Sequence, residues 1–126
     1  MKEWLWRWGP AVVIMTVIFI ASSTPGSDLP EFGPWELTIK KGGHMLGYAL
    51  LAIAYVRTLK KSRPAISERF LLAAFLAVLY AITDEFHQRF TPGRTSSVRD
   101  VLIDTLGAVL ALCIWFWKEK AASRRQ

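Results

Sequence analysis

The side chains with the most chemical capacity lie in one stretch, Thr83 to Asp100, between the apolar runs Phe70–Ile82 and Val101–Trp117. It holds the acids Asp84, Glu85 and Asp100, the guanidinium groups of Arg89, Arg94 and Arg99, and His87 and Gln88, interleaved with Phe86 and Phe90. A further acid, Asp104, sits inside the apolar run that follows. An ionised side chain at the centre of a membrane helix costs about 2.5–3.5 kcal/mol on insertion scales, so such groups are expected to be partnered or functional. Two chemistries compete for these residues. Glu85, Arg94 and Asp100 can pair and staple helix ends together. Alternatively the arginines, Arg94 above all, face an anion, because a guanidinium matches phosphate through two parallel hydrogen bonds. The N–H groups opening the next helix would favour the same anion.

His44 adds a third possibility. With Asp84, Glu85 and Asp104 it can bind a divalent metal, or serve with Glu85 as acid and base in hydrolysis. The chain has no HExxH and no His/Cys pair at ligand spacing, so no metal and no cofactor are expected. A histidine at a helix mouth bonding to Asp104 is the plainer reading. His87, beside Phe86, reads as interfacial. Tyr48 and Tyr80 either donate hydroxyl bonds within the cluster or pack with the hydroxyl satisfied.

These groups need elements to hold them. At 126 residues the chain is a single domain, 1–126. Charges collect in blocks and leave four apolar stretches. Trp4, Trp6, Trp8, Trp35, Trp115 and Trp117 fall mostly at block edges, where an amphipathic ring suits a membrane–water interface. The expected class is all-α, a four-helix transmembrane bundle, with spans at about 4–21, 42–59, 70–86 and 98–117. A net charge of +6 comes from residues flanking the spans, and no nucleic-acid module is present. Cys113, alone in mid-span, reads as a small packing residue.

Trp4–Ala21 reaches about 27 Å as a helix, marginally enough to cross. Ala21-Ser22-Ser23 after it also resembles a cleavage site; the tryptophans at its head favour a retained anchor. Ser22–Lys41, rich in proline and glycine, reads as a connector of turns. In the second span His44, Tyr48, Leu51 and Tyr55 share a face, and Gly42, Gly43 and Gly47 permit close helix approach. The block from Arg57 to Pro64 ends it. In the third, Ala73, Ala77, Tyr80, Asp84 and His87 form one stripe and Ala74, Ala81, Glu85 and Gln88 its neighbour, together an inward-facing surface. Thr91-Pro92-Gly93-Arg94 forms a tight turn, and Ser97 with Asp100 caps the fourth span, where Asp100, Asp104, Gly107 and Ala111 share a face. Of 16 lysines and arginines, all but Lys40, Lys41, Arg89, Arg94 and Arg99 lie on the side of the termini, which the positive-inside rule makes cytoplasmic. His44, Asp84, Glu85, Asp100 and Asp104 then meet in the extracytoplasmic leaflet, with Asp104 about 6 Å below Asp100. The opposite half of every span is expected to be nearly free of titratable groups.

Lys41-Gly42-Gly43-His44 with Tyr48 and Leu51, Asp84-Glu85-Phe86-His87-Gln88, Phe90-Thr91-Pro92-Gly93-Arg94, and Asp100 and Asp104 with Gly107-Ala108 together resemble the VanZ-like family. Ser22-Ser23 and Pro25 fit the same pattern, and Asp104 stands where Asn is often expected. The resemblance covers nearly the whole chain. It implies a small, multi-pass bacterial inner-membrane protein, in a family named for a factor in low-level teicoplanin resistance.

Three functions are compatible with these residues. The first is an extracytoplasmic cleft, built from Tyr48, Asp84, Gln88, Arg94, Asp100 and Asp104. It would bind an anionic envelope lipid, a lipid-linked cell-wall precursor, or a lipoglycopeptide competing for one. The second is an intramembrane hydrolase or transferase acting on a lipid phosphate or ester, with His44 and Glu85 as acid and base. The third is a small proton-coupled transporter using Asp84 and Asp104. Acids near one surface rather than the midplane speak against the third, which would also need an oligomer.

Overall fold

The computed structural model describes residues 1–60 and 65–126. The part of the helix-ending signal expected at Lys61, Ser62, Arg63 and Pro64 lies outside the described residues. Four helices follow one another: α1 (Lys2–Ser23), α2 (Glu36–Lys60), α3 (Ile66–Gln88) and α4 (Val98–Ser123). The α1–α2 connection contains two single 3₁₀ turns, Gly26–Asp28 and Gly33–Trp35. No strand occurs among the described residues, so the all-α expectation holds. Turn formers do keep the connector irregular, but only to Trp35. Glu36–Lys41, expected within the connector, is instead the first part of α2. The helices also run beyond the expected spans, α3 by two residues past Phe86 and α4 to Ser123.

α2 is the central element and packs against each of the other three helices, whereas α1 and α4 do not touch among the described residues. Its inner surface is apolar and large: Tyr48, Leu51, Ala52, Tyr55 and Val56 are buried. Against it α3 sets the small residues Ala73, Ala77 and Ala81, and α4 sets Gly107, Ala108 and Leu112. At Gly107 the close approach is real, because a Cβ there would lie 2.7 Å from Met45 Cγ and against the Met45 carbonyl. Gly42 and Gly43 have no such neighbour. Their expected role in close packing is not seen.

The outer surface is the reverse. Leu71, Phe75, Leu79, Ile82 and Phe86 on α3 form an exposed stripe, and Leu102, Leu106, Leu110, Ile114 and Trp117 form another on α4. Apolar stripes of that length on a small monomer belong in lipid rather than water. α1, α3 and α4 are each long and apolar enough to cross a membrane. α2 is as long as they are, but it carries Glu36, Lys40 and Lys41 at its start, and it leaves Leu37, Ile39, Leu46 and Leu50 exposed beside its buried inner face.

Both ends of α1 are fastened to the bundle. Near its start Thr58 Oγ1 donates to the Arg7 carbonyl (2.7 Å) and Arg7 Nη2 to the Thr58 carbonyl (3.3 Å). At its other end Ser22 and Ser23 bond into α3. The terminal end of the bundle is also less bare than expected. Glu119 of α4 receives Arg69 of α3, Lys60 of α2 at 3.3 Å and the Trp115 indole at 3.3 Å. Sequence reading placed Glu119 past the membrane and Arg69 in a loop. Both helices simply extend that far.

Candidate functional site

The opposite end, where α1 stops, α2 and α4 begin and α3 stops, carries the polar cluster. Its base is a buried knot. Asp84, 4% exposed, accepts at Oδ2 from the Ser22 hydroxyl (2.9 Å) and from Gln88 Nε2 (3.3 Å), and Gln88 Nε2 also reaches Ser22 Oγ at 3.2 Å. The fully buried Tyr48 hydroxyl lies against Asp84 and Asp104. Neither that hydroxyl nor Asp84 Oδ1 completes a hydrogen bond of normal geometry. One residue further along α1, Ser23 sends its proton to the Phe19 carbonyl (2.7 Å). His87 Nε2, 2.9 Å from Ser23 Oγ, must therefore be the donor. The imidazole also stacks on Phe19, 4.7 Å between centroids.

Above the knot, the α3–α4 loop folds back on the α1–α2 connector. Arg94 N donates to the Thr91 carbonyl (3.2 Å), closing the expected turn, with Gly93 at φ 71°. Gly26 N bonds the Pro92 carbonyl at 2.9 Å, and the Gly26 and Gly93 backbones touch so closely that no Cβ fits at Gly26. Arg94 then reaches the end of α1, its Nε donating to the Thr24 carbonyl at 3.2 Å and its Nη2 to the Ala21 carbonyl. A cation on the last carbonyls of a helix complements the negative end of its dipole. Burial lowers the Arg94 pKa from its ordinary value, and the nearby carboxylates Asp84 and Glu85 raise it.

The start of α4 is built as expected: Ser97 Oγ accepts from Asp100 N at 3.3 Å. An anion does sit beside that helix start, but it belongs to the chain, since Glu85 Oε1 accepts from Ser97 N at 2.6 Å. Asp100 binds Lys41 (2.8 Å) and the Ser97 hydroxyl (2.8 Å). Thus the anticipated fork among Glu85, Arg94 and Asp100 is absent among the described residues. Each takes a different partner. His44 Nδ1 is 3.9 Å from Asp104 Oδ2, an ion-pair contact if the ring is charged but too long for a hydrogen bond.

These walls enclose a cavity of about 500 Å3. His44, Glu85, Gln88, Arg94, Asp100 and Asp104 all line it, whereas Tyr48 and Asp84 lie beneath. Sequence reasoning missed the connector wall of Gly26, Leu29, Gly33 and Pro34. It also missed Ser22 as the hydroxyl that donates to Asp84 Oδ2, although the Ser-Ser-Thr-Pro end of α1 was a visible signal. No group of three or more His, Cys, Asp or Glu side chains among the described residues is arranged to hold a metal ion.

A family model described as VanZ/LLP1 matches residues 8–119, which takes in every helix and every wall of the cavity. The chain belongs to the VanZ/LLP1 family. No curated protein and no solved structure gives a significant match. As a VanZ/LLP1 member with three helices apolar enough to cross a bilayer, it is a membrane protein.

Proposed function

We propose that this VanZ/LLP1 protein binds the phosphate-bearing, anionic headgroup of an envelope lipid or lipid-linked cell-wall precursor in the cavity between α2, α3 and α4. The observation that carries this reading is the cavity itself: a roughly 500 Å3 polar chamber, lined by Lys40, Lys41 and Arg94, at the end of a bundle with apolar flanks. That volume lies within the usual range of small-molecule sites, about 300–1,000 Å3. Headgroups in a bilayer sit at the depth of helix ends. Arg94 spends two nitrogens on α1 and keeps unused N–H donors for a guest.

The bias of basic residues toward the side of the termini supports a topology with both termini cytoplasmic and the cavity in the extracytoplasmic leaflet. A protein holding the precursor headgroup there would compete with lipoglycopeptides such as teicoplanin. Native mass spectrometry of the purified protein with phospholipids and a lipid-linked pyrophosphate tests the reading. Arg94→Lys, which keeps the charge but loses the fork, should weaken phosphate lipids several-fold. Unchanged affinities, or no bound phosphate lipid, would overturn it.

His44 and Glu85 facing one cavity supports hydrolysis or group transfer as a second reading. Its test is turnover of a lipid phosphate or ester that Glu85→Gln abolishes without unfolding the protein.

A further inference from the structure

The charges around the cavity do not sum to a purely anion-seeking site. Lys40 is paired with Glu36 one turn earlier, and Lys41 with Asp100 at 2.8 Å. Three ionisable lining groups remain, the Arg94 guanidinium and the carboxyl groups of Glu85 and Asp104. Glu85 receives a neutral backbone N–H from Ser97. Asp104 is only 2% exposed, and its one ion-pair contact among the described residues is His44 Nδ1 at 3.9 Å. Behind it lies the Tyr48 hydroxyl, fully buried against Asp84 and Asp104 and completing no hydrogen bond of normal geometry among the described residues. A buried carboxylate with no cation bonded to it is expensive, and so is a buried hydroxyl left unsatisfied. An anion entering this chamber meets one cation and two acids. Whatever negative charge Glu85 and Asp104 carry offsets what Arg94 provides to an anion.

A guest that carries both signs resolves the conflict. Resting on the reading that the cavity takes a phosphate headgroup, we propose that the headgroup is an amino-alkyl phosphate, with a primary ammonium a few bonds from the phosphate. The phosphate faces Arg94 at the loop wall. The ammonium, with three N–H donors, faces Asp104 and Glu85 at the floor. An ethanolamine-type phospholipid has this chemistry, and so does free phosphoethanolamine.

The test uses the full chain in nanodiscs, titrated with short-chain phosphatidylethanolamine, phosphatidylglycerol and phosphatidylcholine, and read by native mass spectrometry. Phosphatidylethanolamine is expected to bind about ten-fold more tightly than phosphatidylglycerol, a difference of one decade in Kd. Phosphatidylcholine, whose quaternary nitrogen has no N–H to donate, should bind no better than phosphatidylglycerol. Asp104→Asn should erase the preference while leaving phosphatidylglycerol bound. If that variant does not fold, Glu85→Gln, which can still accept from Ser97 N, should reduce the preference instead. Displacement by soluble phosphoethanolamine would assign recognition to the headgroup alone, and its failure beside an intact lipid preference would assign it to the lipid. Equal binding of the three lipids, all weakened by Arg94→Lys, would overturn the amine inference and leave the phosphate reading standing. Binding of none would overturn both.

Discussion

Ser22 shows how much a single hydroxyl can carry. It is fully buried, donates to Asp84 and accepts from Gln88. Asp84 already has one oxygen without a partner. Ser22→Ala leaves the other oxygen with Gln88 alone, so the substitution should destabilise the protein by about 1–3 kcal/mol, the usual cost of stranding a buried polar group. Thermal unfolding in detergent measures it; a melting temperature unchanged from wild type would mean that water replaces the hydroxyl. The individual partners at this scale were the least readable part of the sequence. Composition and spacing put His44, Glu85, Arg94, Asp100 and Asp104 at one end of the bundle. They could not show that Glu85 would take a backbone N–H, or that Arg94 would take the carbonyls of α1. Those choices depend on side-chain reach across helices, and an isolated sequence does not encode it as a pattern.

Between elements, the tightest joint is the pair of loops at the cavity. Gly93 adopts φ 71°, and the Gly26 backbone rests on it. Gly93→Ala places a Cβ in the left-handed region, at a cost of about 1–2 kcal/mol, and Gly26→Ala pushes the connector off the loop. Both variants should fold with lower melting temperatures, and Gly26→Ala should also weaken headgroup binding because it displaces a cavity wall. A second joint lies at the far end, where Glu119 receives Arg69 and Lys60. Glu119 keeps a fifth of its side chain exposed, so Glu119→Gln should cost about 1–3 kcal/mol, between the values for surface and buried ion pairs. Adding Arg69→Met should recover part of that loss in a double-mutant cycle. The element boundaries were legible where caps or turns mark them, as at Ser97 and at Thr91–Arg94. They were not legible at Glu36–Lys41 or beyond Trp117, where charged residues continue a helix because nothing in the local chain breaks it.

For the molecule as a whole, the alternation of apolar runs and charged blocks was enough to foresee four helices and no strand among the described residues. What it did not foresee is the ranking among them: α2, the least apolar, is the core. Its inner face packs against all three other helices, so hydropathy alone understates its importance. The whole-molecule prediction is topological. Fluorescent-protein fusions to either terminus should both be bright in the cytoplasm, and an alkaline phosphatase fused within the Gly26–Trp35 connector should be active outside. A dark carboxyl-terminal fusion would invert the placement of the cavity.

The fastening of α1 at Arg7 and again at Ser22 has a mechanical corollary. Fifteen residues of helix separate the two clasps, or about 22 Å along the axis, and neither clasp can shift without rotating the other out of reach. The helix is thus a spacer of set length, and a mismatched bilayer is met by tilt of the whole bundle or deformation of the lipid rather than by sliding of α1. One residue inserted midway along α1 would turn the segment beyond it by about 100°, and one of the two clasps would have to let go.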